Sequence, residues 1–190
     1  MTVKALNTAI ATERFTLEPL GRWRALQASY HWTNDAEIIR NYSGSAAPRS
    51  RWRWYRQMVR PNKRTKFAHA IIPHGQKEPI GLHFVHIRPY RSAYLGIALH
   101  DRSWWGKDAA FEVRKCMINH FLQNAPVDRF CGYVNARNFA SVFNYRKLGF
   151  THVGTLHRVT ADPVSGDVHD MLIFEMFRKD WEARETVAHG

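Results

Sequence analysis

Residues 93–112 read AYLGIALHDRSWWGKDAAFE, and residues 134–150 read VNARNFASVFNYRKLGF. The first run begins as a strand, passes through a turn holding Gly106 and becomes helical near Asp108. Backbone N–H groups gathered at such a helix start can hold a phosphate. Gly106 alone would be weak ground for that function. The second run supplies a strand end, Asn138, a helix carrying Tyr145, and a stop at Gly149-Phe150.

Working outward, Phe67 to Ile72, Ile80 to Ile87 and Ala93 to Leu99 read as three consecutive antiparallel strands, with turns at Pro73-His74-Gly75 and Arg88-Pro89. Asp108 to Asn124 places Ala109, Phe111, Val113, Cys116, Met117, Phe121 and Leu122 along one face of a long helix, and Pro126 lies just past its end. Arg129 to Val134 predicts a strand, Ala140 to Lys147 a helix and Phe150 to Leu156 a strand. A turn follows at Asp162 to Gly166, and Met171 to Phe177 is the last strand. Toward the N-terminus, Phe15 to Leu20 alternates as a strand and Trp23 to Tyr30 has helical spacing. Thr33-Asn34-Asp35 offers a cap for a helix Ala36 to Arg40, Ser43 to Pro48 is a loop, and Arg49 to Arg60 returns to helix. This order predicts an α+β domain with a mixed, mostly antiparallel twisted sheet flanked by helices. We expect one domain over residues 13–182, with flexible ends at 1–12 and 183–190.

The 190 residues suit a single core, and 45% hydrophobic content is enough to build one. Two cysteines, Cys116 and Cys131, are too few for a disulfide framework or a cysteine zinc site. Each sits in an apolar run, which points to buried thiols and a reducing compartment. Met1 to Thr12 lacks the apolar core of a signal peptide, and no run approaches the roughly 18 apolar residues of a membrane span. A cytoplasmic location with no membrane partner is the expectation. The net charge of +12 favours anionic partners such as a nucleotide, RNA or an acidic protein face, although a basic, soluble surface would carry the same charge. His157, Asp167, His169 and Asp170 have no diagnostic metal spacing, so no metal is expected, and no P-loop pattern occurs.

Four motifs in order resemble the GNAT acetyltransferase superfamily, and within it the ribosomal-protein α-amino acetyltransferases. They are Leu17-Glu18-Pro19-Leu20 with Trp32-Thr33-Asn34-Asp35; Ile80-Gly81 with Leu95-Gly96-Ile97; Asp101 to Lys107; and Asn138, Ser141, Tyr145 and Gly149-Phe150. The resemblance spans roughly Glu13 to Trp181. It implies a sheet splayed between the fourth and fifth strands that holds acetyl-CoA, with pantetheine against the strand ending at Leu99 and His100. The pyrophosphate would lie on Trp105, Gly106, Lys107, Asp108, Ala109 and Ala110, and Asn138 and Ser141 would meet the cofactor arm. Tyr145 would act near the sulfur as the acid that protonates the leaving thiolate. A phenol with pKa about 10 holds that proton at neutral pH. Helical spacing alone would instead make Tyr145 a core aromatic. The implied reaction moves an acetyl or other acyl group from acyl-CoA to an amine acceptor, in a monomer or homodimer.

Two positions depart from the family pattern. Asp108 stands where the phosphate loop has glycine, so a carboxylate enters the phosphate site unless it turns outward or a cation such as Arg102 or Lys107 compensates. If ordinary CoA binding is lost, the same fold could take aminoacyl-tRNA or another RNA-linked substrate, or serve as a non-catalytic RNA- or protein-binding module. Tyr94 stands where many relatives have a glutamate base. His83, His86 and His100 are the alternatives, with His83 and His86 on opposite faces of one strand. An α-amine, pKa roughly 7.7–8.0, also needs little help.

The run 49–64, RSRWRWYRQMVRPNKR, carries seven basic residues interleaved with aromatics. Such a surface suits stacking and phosphate contact with RNA, or an acidic peptide. An amphipathic helix with aromatics inside and arginines in solvent gives the same pattern. Tyr94, His86, Trp54 and Arg53 are the substrate-side candidates.

Overall fold

A computed structural model of the chain describes residues 5–38, 50–57, 60–162 and 165–189, without the side chains at 51, 53, 57, 188 and 189. The strands are β1 (Ile10–Ala11), β2 (Phe15–Pro19), β3 (Lys66–Pro73), β4 (Gly81–Arg88), β5 (Ser92–Leu99), β6 (Arg129–Asn135), β7 (Thr151–Ala161) and β8 (Val168–Phe177). The helices are α1 (Arg22–Ser29), α2 (Arg51–Gln57), α3 (Ala109–Asn124), α4 (Phe139–Lys147) and α5 (Arg178–His189). The loop Ser43 to Pro48 and the end of the helix expected over Ala36 to Arg40 lie outside the described residues.

The sheet runs β1-β2-β3-β4-β5-β6-β8-β7, antiparallel except for β5 against β6. Alternation along the strands separates two apolar layers. Phe67, Ile71, Val85, Ala93 and Leu95 point to one face, where they pack with Val113, Met117, Ile118 and Phe121 of α3 and Tyr145 of α4. Ala68, Ala70, Leu82, Phe84 and Ala98 point to the other, against Ala25, Leu26, Trp32, Trp54 and Tyr55. This is the expected α+β sheet flanked by helices.

Within the described parts of the two ends, residues 5–12 hold a short helical turn and β1, and residues 183–189 are helical. Leu6 is buried in the core. Residues 183–189 complete α5, which is anchored by the buried Trp181, whose indole N–H donates to Asn119 Oδ1 at 2.6 Å. β7 also runs past Leu156 to Ala161, with register shifts that absorb its irregular pairing to β8.

Candidate active site

β5 and β6 pair only at Ser92, Ala93 and Tyr94 against Arg129, Phe130 and Cys131, and then part. The strand polar groups beyond Tyr94 face an opening, because the Leu95 carbonyl accepts from the Tyr145 hydroxyl at 3.0 Å and the Leu99 carbonyl from the Trp105 indole at 3.0 Å. Residues two apart on a strand point the same way, so Ile97 lies on that edge too. The resemblance implies a splay between the fourth and fifth of the expected strands; with the short β1 added at the edge, these are β5 and β6.

Tyr145 fills the inner end of the opening and is only 1% exposed. Its ring stacks on Phe174 at 5.3 Å and meets Phe150 edge-on at 5.0 Å, and the Arg114 guanidinium lies 4.2 Å from its centroid. Gly132 of β6 makes the slot, since a Cβ there would fall 2.2 Å from Tyr145 Cζ. Burial pushes the phenol pKa up while Arg114 opposes the rise, so the phenol keeps its proton at neutral pH.

A cleft of about 590 Å³ lies between β5, the turn before α3 and the start of α4; Tyr145 is behind its wall, next to the lining side chains Arg114 and Asn144. Leu99, Trp105, Gly106, Asp108, Ala109, Ala110, Asn138 and Ser141 all line it, as do Arg114, Asn144, Arg137 and the exposed Phe139 and Phe143. The turn supplies a Gly106 φ of +72° and an Asp108 φ of +56°, a left-handed conformation that leads the chain into α3. Asp108 does not cap that helix. Its carboxylate takes a hydrogen bond from Lys147 Nζ at 2.8 Å, away from the helix-start amides. Asn138 Oδ1 accepts from the Ser141 amide at 3.0 Å and so caps α4. The helix-start amides beside the glycine turn can hold an anionic group such as a phosphate.

Three sequence candidates stand elsewhere. Arg102 pairs with Asp35 at 2.8 Å and Glu37 at 3.0 Å, joining the turn to the segment opposite. Lys107 borders a broader groove of about 800 Å³ between β1 and the outer side of α3, a groove that reaches neither Tyr145 nor Asn138. His100 is half-buried against His31 at 4.7 Å, and burial lowers its pKa.

On the other face of the sheet, His86 and Tyr94 are cross-strand neighbours. Tyr94 stacks on Tyr133 at 5.2 Å, with its hydroxyl 3.0 Å from that of Tyr133, and Arg88 lies 4.8 Å from the Tyr94 centroid. The hydrogen bond to Tyr133, and then burial, push the Tyr94 phenol up to about 12, which removes it as a base. Burial, with Lys66 and Arg88, lowers His86 below its ordinary value and leaves it neutral and able to accept a proton. His83 is enclosed beneath α3 and cannot meet an acceptor amine. Trp54 is corrected in the same way: it is a core side chain, 1% exposed, whose indole donates to Ser29 Oγ at 3.0 Å. The side chain of Arg53 is outside the described residues.

Arg114, Asn144 and Tyr133 were not singled out from sequence. Arg114 had a signal, a charge on the apolar stripe formed by Val113, Met117, Ile118 and Phe121.

Residues 14–151 match the acetyltransferase (GNAT) domain family. No curated protein matches the sequence. The structure resembles spermidine N-acetyltransferase from Vibrio cholerae in complex with CoA and spermine, with TM-score 0.74, 18% identity, and 88% of this chain and 98% of that one covered. It also resembles ribosomal-protein-S5-alanine acetyltransferase from Vibrio fischeri, at 0.74 and 16%, covering 92% and 98%. A ribosomal L7/L12 α-N-protein acetyltransferase in complex with coenzyme A gives 0.70 and 17%, covering 90% and 98%. At these identities the likeness is one of fold.

Proposed function

The chain belongs to the acetyltransferase (GNAT) domain family, and from that premise we propose that it transfers an acyl group from a CoA thioester, acetyl-CoA being the simplest, to a primary amine, with Tyr145 as the acid. The observation that carries this is the parting of β5 from β6, where the buried, protonated Tyr145 phenol meets the Leu95 carbonyl, beside a cleft that Arg114 and Asn144 line and that runs to a helix start rich in amides. The amine nitrogen bonds to the carbonyl carbon, the carbon–sulfur bond breaks, and the Tyr145 proton goes to sulfur. The amine proton leaves to His86 or to water. Aligning the two reactants supplies most of the acceleration, and N–H groups on the β5 edge are placed to polarise the carbonyl.

Asp108 supports an ordinary CoA donor, because its charge is directed to Lys147 and away from the amides. The test combines calorimetric binding of acetyl-CoA with thiol release in the presence of a panel of amines. Tyr145→Phe should slow transfer by about 100-fold or more while the donor Kd stays within about twofold. Unchanged turnover would remove Tyr145 from the mechanism.

One observation favours an RNA-borne acceptor. Trp23 and Trp52, 59% and 64% exposed, stack on either side of Tyr55 at 5.3 and 5.5 Å, with Arg22 against Trp23 and Arg60 against Tyr55. Rings and cations together suit nucleobases and phosphates, and they repel a polyamine. Filter binding of tRNA should be salt-sensitive and weaken about tenfold in Trp23→Ala/Trp52→Ala. Binding indifferent to both changes would leave an acidic peptide as the better acceptor.

A further inference from the structure

Arg114 brings a charge to the cleft floor that no acid among the described residues answers. It sits on the sheet-facing side of α3 and is 3% exposed, yet it borders the cleft. Its Nη1 donates to Asn144 Oδ1 at 2.5 Å and its Nη2 to Ser141 Oγ at 3.4 Å, both neutral partners. Its Nε has no acceptor within the described residues. The nearest groups on the sheet add none: His83 and its cross-strand neighbour His69 are fully buried, and neither ring has a hydrogen-bond partner among the described residues.

Of the other cations around the site, Arg137 lines the cleft without an ion pair among the described residues but is exposed to water. Arg102 is paired with Asp35 and Glu37, Lys147 with Asp108, and Lys115 with Glu185. A guanidinium taken out of water without a counter-charge is costly, and a ligand that supplies the charge removes that cost. The ligand must come through the cleft, since that is where Arg114 meets open space. The CoA phosphates are provided for at the α3 start, by Gly106 through Ala110. Arg114 lies instead against Tyr145, the end at which the thioester reacts.

We infer that Arg114 receives a carboxylate carried on the acyl group, so that the preferred donor is the CoA thioester of a dicarboxylic acid. The inference rests on the acyl-transfer function proposed above. The fork of a guanidinium matches a carboxylate, and a charge-assisted contact in a dry site is worth more than one in water. The chemistry of transfer is unchanged: the distal carboxylate forms and breaks no bond, and the product is an amide bearing a free acid.

The experiment is calorimetric binding, without an acceptor amine, of free CoA, acetyl-CoA, succinyl-CoA and glutaryl-CoA. At least one carboxylate-ended thioester should bind about tenfold or more tightly than acetyl-CoA. In Arg114→Leu that margin should shrink to within about threefold while free CoA is unaffected, and Arg114→Lys should keep part of it. Equal affinity of the native protein for all three thioesters overturns the inference and leaves acyl transfer standing. A uniform loss in Arg114→Leu, free CoA included, assigns Arg114 to the common CoA portion and also overturns it. If the native protein binds none of the four, the acyl-transfer function itself fails, and the inference with it. The comparison on the native protein needs no variant, so misfolding of Arg114→Leu cannot hide the answer.

Discussion

Asp108 shows how one side chain can depart from a phosphate-loop pattern and leave the loop intact. At φ +56° it holds a left-handed conformation that costs a non-glycine residue about 1 kcal/mol, less for aspartate than for most. Its carboxylate is turned to Lys147. Asp108→Gly should relieve the strain and remove a negative charge beside the phosphate site. We expect donor affinity to rise about threefold and Tm not to fall. Asp108→Ala separates the two effects, since it removes the charge while alanine tolerates the left-handed conformation less well than aspartate, so its Tm should fall while its affinity rises. A loss of donor affinity in Asp108→Gly would show that the Lys147 pair holds the loop in its binding shape. The position and chemistry of Asp108 were legible in the sequence because the motif around it sets a register. The direction of its side chain was not, because that depends on Lys147, 39 residues away.

Among the elements, the crossing of α4 beneath β6 decides whether the site exists. Tyr145 reaches the Leu95 carbonyl only because Gly132 leaves β6 without a side chain there. In Gly132→Ala the added carbon would overlap the ring, which is locked between Phe174 and Phe150 and cannot yield. We expect a loss of about 2 kcal/mol or more, read as a drop in Tm of several degrees, and turnover reduced at least as far as in Tyr145→Phe. Native turnover in Gly132→Ala would place the reacting phenol elsewhere. The strands and helices around this crossing were legible because their apolar residues recur at periods of two or near four. The end of α5 was not, since Trp181 alone buries deeply and the later residues lean on such contacts as Lys115 to Glu185. Trp54 misled for the related reason that a run of alternating arginines and aromatics does not say which ring turns inward; Tyr55 and Trp54 went in, and Trp52 stayed out.

At the scale of the whole molecule, the interior beneath α3 makes stability depend on pH. His69 is fully buried among apolar side chains, and burial, helped by nearby His120, pushes its pKa down to about 3 from an ordinary 6.5. His83 is lowered in the same sense by burial, Arg114 and His69. Between pH 6.5 and 3 the unfolded chain therefore binds a proton at His69 that the folded chain refuses, and stability falls as pH falls through that window. Above pH 6.5 both states are neutral and the contribution is fully present. At about 1.4 kcal/mol per pKa unit the loss from His69 reaches several kcal/mol, a large share of the 5–15 kcal/mol typical of a domain. Carboxylates add loss only lower down: Glu112, whose burial is outweighed by hydrogen bonds from Thr12 and Arg14 that hold the carboxyl down, below its ordinary 4.5, and Asp101, held down by its hydrogen bond with Ser103, below its ordinary 3.8, so the range from pH 6.5 to 4.5 belongs to the histidines. Urea midpoints measured at half-unit steps across that range should fall steeply for the native protein and less steeply for His69→Leu. At pH 7.5 the variant should be as stable as the native protein or more so, because two unpartnered ring nitrogens leave the core. Parallel curves for the two proteins would mean that His69 accepts its proton in the folded state, with water or an anion reaching the space under α3.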